Sequence, residues 1–126
     1  MKNIKKDMEF KFGYSKEDDI LMIYSPGFQT EETIEFSEYL NIDINKEGRI
    51  VGLEIFDALE FFSVINKQID TSFLENLEFA SLESKEFRNT WYLILILKSK
   101  NKQLIHQPMP LLQKSEYVSP LILSQK

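Results

Sequence analysis

Asp43, Asn45, Glu47, Gly48, Ile50 and Glu54 stand at positions one, three, five, six, eight and twelve of a twelve-residue calcium loop. Such a loop wraps its ion with alternate oxygen ligands, turns sharply on a glycine at six and closes with a two-oxygen carboxylate at twelve. The flanks oppose that chemistry. A calcium loop joins two helices, whereas Leu40, Ile42 and Ile44 alternate with Asn41, Asp43 and Asn45, the period of a half-buried strand. An extended hairpin would carry Glu54 away from the turn, so the expectation is a plain hairpin and no metal site. Asp18, Asp19, Asp43 and Glu54 could supply a carboxylate pair for acid–base work. The plainer reading is solvated acids on turns and strand faces. His106 is the single histidine, so a histidine-pair metal site or a Ser-His relay would rest on it alone; it reads as an edge or surface residue. The four glycines are scattered, which leaves no phosphate-binding loop, and the absence of cysteine rules out thiolate sites and disulfides. No catalytic, cofactor-binding or metal-binding residue is assigned, and no cofactor is expected.

The elements that hold these side chains follow from periodicity. Met8, Phe10, Phe12 and Tyr14 alternate with polar residues and glycine, which predicts a strand. After the turn at Ser15–Asp19, Ile20–Tyr24 is apolar throughout, the pattern of a strand covered on both faces. Ile34 and Phe36 restart the alternation ahead of the hairpin. With Asn45–Gly48 as its loop, Ile42 would face Val51, Leu40 would face Leu53, and Gly52 would face Asn41; Val51, Leu53 and Ile55 would share one face, Ile50 and Gly52 the other. Gly48, at the turn, and Gly52 are the structural glycines. A meander of four strands is the simplest topology.

Asp57, with Glu60 three residues on, reads as a helix N-cap with a capping box. Ala58, Phe61, Phe62, Ile65 and Ile69 recur at helical spacing, and Asp70 can cap a second, shorter helix through Phe73, Leu74 and Leu77. Glu78–Leu82 reads as a strand, with polar residues from Glu83 to Asn89 separating it from Thr90–Leu97. Leu104–His106 follows and Pro108 and Pro110 end it. The tail holding Tyr117, Pro120, Leu121, Ile122 and Leu123 has no clear period. The class expected is α+β, mainly antiparallel sheet, in one domain over residues 1–126, with residues 8–65 as meander plus helix and 66–126 as helix and further strands.

The hairpin and what precedes it carry a resemblance. Tyr14-Ser15-Lys16-Glu17-Asp18-Asp19-Ile20-Leu21-Met22-Ile23, then Ile42-Asp43, then Gly48-Arg49-Ile50-Val51-Gly52-Leu53-Glu54-Ile55-Phe56-Asp57-Ala58, resembles the small prokaryotic domain of unknown function numbered 2283. That family opens on a tyrosine, commonly followed by an acid, with an aspartate five residues later and then x-Leu-x-Ile. Its hairpin reads Asp-Gly-x-Val-Val-Gly-Ile-Glu-Ile-x-Asp/Asn-Ala. Here Ser15 replaces a commoner acid and Glu47 precedes Gly48. The resemblance covers about the first half of the chain and implies no catalytic residues; some members lie beside toxin-like genes, which implies antitoxin roles.

Composition bounds the function. A net charge of -5 argues against direct nucleic-acid or acidic-membrane binding. The run Trp91–Leu97 is far shorter than the roughly 20 residues of a membrane helix, and the opening residues lack a secretory apolar run, so the expected location is the cytoplasm. Trp91, Leu93, Leu95 and Leu97 share one face of their strand, with Tyr92, Ile94 and Ile96 on the other. Two readings stand: a central strand covered by the chain's own helices and tail, or a subunit interface of a two-fold homodimer formed by Trp91, Leu93, Leu95 and Leu97. The function expected is a non-enzymatic protein-interaction module whose partner is itself, with a second protein partner as a further possibility. Its rivals are an antitoxin-like regulator, an acidic inhibitor of a nucleic-acid-binding protein using Glu31, Glu32, Glu35 and Glu38, and a carboxylate hydrolase.

Overall fold

The computed structural model describes residues 8–114. The chain passes through β1 (Lys11–Ser15), β2 (Ile20–Tyr24), β3 (Glu32–Glu35), β4 (Leu40–Ile44) and β5 (Ile50–Phe56). Two short helices follow, α1 (Ala58–Ile65) and α2 (Thr71–Glu75), then β6 (Leu77–Glu86), β7 (Thr90–Ser99), β8 (Ile105–Pro108) and β9 (Leu112–Gln113). Every strand pair is antiparallel, so the class is α+β with mainly antiparallel sheet. No helix among the described residues is long and apolar enough to cross a membrane. The apolar tail from Tyr117 to Leu123 lies outside the described residues.

The first sheet has five strands in the order β1-β2-β5-β4-β3, not a four-strand meander. β2 pairs with β5, so residues 25–31 carry the chain past two strands to the far edge, about 14 Å at ordinary strand spacing. Leu21 and Ile23 lie opposite Ile55 and Leu53, which lie opposite Leu40 and Ile42 on the other side, giving one continuous apolar face. The other face of β2 is open: Met22 and Tyr24 are each 41% exposed, so the strand is central but covered on one side only.

The hairpin register differs from the simple alternation by two residues. Asn45 N–H donates to Arg49 O, which makes the loop one residue shorter than Asn45–Gly48 would imply. Gly48 takes φ +84, and the Asn45 carboxamide accepts from the N–H groups of Glu47 and Arg49 at 3.1 and 2.9 Å. A one-residue slip alone would turn Gly52 and Glu54 toward the core. The pairing shifts again between Ile44↔Ile50 and Asp43↔Gly52, leaving Val51 as an extra, bulged residue. The two shifts restore parity: Ile42 faces Leu53, Leu40 faces Ile55, and Ile50 joins the core side. Gly52 therefore faces Asp43, not Asn41.

β7 is the axis of the second sheet. β6 pairs along one edge of it, and β8 and β9 divide the other. Pro108 and Pro110 lack the N–H groups a continuous edge strand would use, and Met109 N–H bridges the break by donating to Leu93 O. One apolar core spans both sheets and the helices, including Phe62, Phe73 and Leu74, with Phe36 and Trp91 edge to face at 5.6 Å.

Candidate interaction surface and the capped helix

Helix α1 does not start as its sequence suggests. Asp57 sits in the left-handed region at φ 48 and its side chain makes no capping bond. The cap comes from Asp19, 40 residues earlier, in the β1–β2 turn. Its carboxylate accepts from Leu59 N–H at 3.1 and 3.3 Å, and its carbonyl accepts from Ala58 N–H at 3.0 Å. Tyr14 completes the arrangement by donating its hydroxyl to Asp19 Oδ1 at 2.7 Å. Asp19 is itself left-handed, at φ 54, a region that Asp and Asn tolerate better than most residues.

The chemistry of this cluster is positional. The negative carboxylate meets the positive end of a helix and fills N–H groups that would otherwise lack acceptors. Burial, then the bond to Asp19, push the Tyr14 phenol well above the ordinary tyrosine value, so it stays protonated and acts as a donor. Tyr39 is a second raised phenol: its hydroxyl donates to the Glu60 carboxylate and its value is pushed up to about 12. Neither phenol is poised as a base near neutral pH.

The other sequence candidates disperse. Asp43 and Glu54 lie diagonally on the outward face of the first sheet, Asp43 opposite Gly52 and Glu54 opposite Asn41. Asp43 Oδ1 accepts from Thr33 Oγ1 at 2.6 Å, and a Cβ on Gly52 would stand 2.9 Å from Asp43 Oδ2. Gly52 thus makes room for a side chain on the neighbouring strand, whereas Gly48 serves the turn. Asp18 is in the exposed β1–β2 turn with Ser15, and His106 is exposed on the outward face of β8, opposite Ile96.

Trp91, Leu93, Leu95 and Leu97 do not form a surface. They are 5, 1, 0 and 0% exposed, packed in the chain's own core, so that face of the strand is not open to a second copy. The outward row Tyr92, Ile94 and Ile96 is half-buried, and Phe79, 47% exposed, shares its face. β6 runs through Glu86, where the sequence suggested a polar connection. Its last four residues are exposed and pair with Trp91–Ile94. An open groove of about 580 Å³ borders this half of β6, lined by Met8, Phe10 and Ile50 on one side and Glu83, Lys85 and Ile94 on the other.

Residues 11–58, from the start of β1 to the first residue of α1, match the family described as Protein of unknown function (DUF2283). The chain is also similar to an uncharacterized protein of Methanocaldococcus jannaschii, 35% identical over 57 residues, which is 45% of this chain and 48% of that protein. The chain thus spans about half the length of that curated relative. No solved structure matches. The family-matched segment contains Tyr14, Asp19 and Asp57 and ends at Ala58, whose N–H bonds to Asp19.

Proposed function

We propose that the chain is a non-enzymatic protein-interaction module that associates with a second copy of itself through its second sheet. The observation that carries this reading is the outward row Tyr92, Ile94 and Ile96 beside the open half of β6. A solvated outer face would place polar side chains at those central positions, whereas here three half-buried apolar residues sit beside the exposed Phe79. The polar groups of the Tyr14–Asp19 cluster are engaged in holding α1, which supports a structural role for the residues that resemble the family pattern. The module is expected to act in the cytoplasm without contacting nucleic acid or membrane directly. Light scattering on the full chain tests the reading. The native protein should show twice the monomer mass, and Ile94→Asp, which sets a second carboxylate opposite Glu83, should lower the dimer fraction while circular dichroism still shows a folded chain. A native monomer at high micromolar concentration would refute it.

A second reading draws on the first sheet. Met22 and Tyr24 lie exposed on the same outward face as the Glu54 and Asp43 carboxylates, and Glu31, Glu35 and Glu38 are exposed around the β3 edge. Apolar area with acids on one side suits a Lys- or Arg-bearing segment of a different protein, as an antitoxin-like regulator or an acidic inhibitor would require. Paired Met22→Ser and Tyr24→Ser changes should abolish such binding while leaving self-association intact.

A further inference from the structure

We propose that β6 adds to β6 of a second copy, antiparallel about a two-fold axis at Ser84, so that the two second sheets become one continuous sheet. This rests on the reading that the chain self-associates through that sheet. β6 spans Leu77–Glu86 at the sheet edge; β7 occupies its inner side along the whole length, and no strand among the described residues pairs with its outer side. β1 comes close to β6 without forming a ladder. The groove borders Leu82–Lys85 of β6 and also touches Tyr92 and Ile94 of β7 and Met8, Phe10 and Ile50. Unpaired edges of this kind accept an added strand through main-chain hydrogen bonds.

The side chains select the occupant. Glu83, Ser84 and Lys85 form a self-complementary triplet. With Ser84 opposite its own copy in antiparallel register, Glu83 lies directly across from the partner's Lys85, and Lys85 across from the partner's Glu83. Both pairs fall on the outward face, beside Ile94 and Tyr92, which lie opposite Glu83 and Lys85 in the β6–β7 ladder. Opposite charges directly across an antiparallel pair stabilise it and like charges oppose it. A two-fold contact of this sort closes on itself, so it gives dimers and not fibres.

The test is a charge-reversal cycle read by sedimentation of the full chain. Glu83→Lys alone, and Lys85→Glu alone, set like charges across both symmetric pairs and should weaken the dimer about tenfold each. The double variant E83K/K85E restores opposite charges and should recover native association. Both side chains are exposed, so all three variants should keep the far-UV circular dichroism of the folded native chain. A dimer indifferent to both single reversals, or one the double variant does not restore, would overturn the β6 pairing and leave self-association standing. A native chain that is monomeric throughout would overturn both. A native monomer that dimerises only after removal of residues 1–7, which directly precede the groove residue Met8, would make that segment the occupant and overturn the proposal as well.

Discussion

Replacing Asp19 by alanine isolates the contact that joins the β1–β2 turn to helix α1. Removing the carboxylate takes away the side-chain cap of α1, worth about 1 kcal/mol. It leaves the partly buried Tyr14 hydroxyl without its acceptor, about 1–3 kcal/mol more. Alanine at φ 54 adds roughly 1 kcal/mol because it lacks the short polar side chain that lets aspartate tolerate the left-handed region. The sum is about 3 kcal/mol or more, and water reaching a half-exposed turn lowers it to about 2 kcal/mol. Asp57→Ala is the control, because Asp57 shares the left-handed backbone but makes no side-chain cap, so its loss should cost only about 1 kcal/mol. Urea unfolding followed by far-UV circular dichroism measures both. The reasoning fails if Asp19→Ala is within about 0.5 kcal/mol of the native protein, the range of an ordinary surface change, or if Asp57→Ala costs more.

The remaining predictions follow from single contacts. Because the fold favours the protonated Tyr14 phenol, that contribution to stability is whole below the unfolded value of 10.0 and is lost as pH rises beyond it; Tyr14→Phe should flatten part of the decline in a pH series of urea midpoints. Gly48→Val should lower stability by about 2 kcal/mol, a backbone cost at φ +84, since the nearest atoms to an added Cβ are 3.8 Å away at Glu86. Gly52→Ala should cost about 1 kcal/mol by turning Asp43 away from Thr33, and Thr33→Val should remove most of that difference in a double-mutant cycle. Leu95→Glu should leave no folded monomer by circular dichroism, because it puts a carboxylate where exposure is 0%.

Much of the fold was legible because strand period survives in one sequence. β2, β4, β5 and β7 follow the alternation or apolar runs of their residues, and α2 follows Asp70, which accepts from Phe73 N–H at 2.9 Å. What misled were features that depend on distant partners. The capping box at Asp57 and Glu60 looks complete locally, yet the helix takes its acceptor from Asp19; the Tyr14 and Asp19 pair within the family-like opening was the available signal. Val51 looks like any core residue, and only the parity error of a shorter loop shows that a bulge must occur. The outer half of β6 was hidden because Glu83–Glu86 bury little, and a polar strand held by pairing with β7 leaves no hydrophobic period. The strand order escaped because alternation identifies faces but not neighbours.

Hydrogen exchange measured on the full chain at low and high concentration tests self-association through the second sheet most directly. Amides of Ser81–Glu86 should slow as concentration rises, while those of β3, the edge Glu32–Glu35 of the first sheet, should not change. Exchange that is independent of concentration at both edges, or that slows at β3 instead, would contradict it.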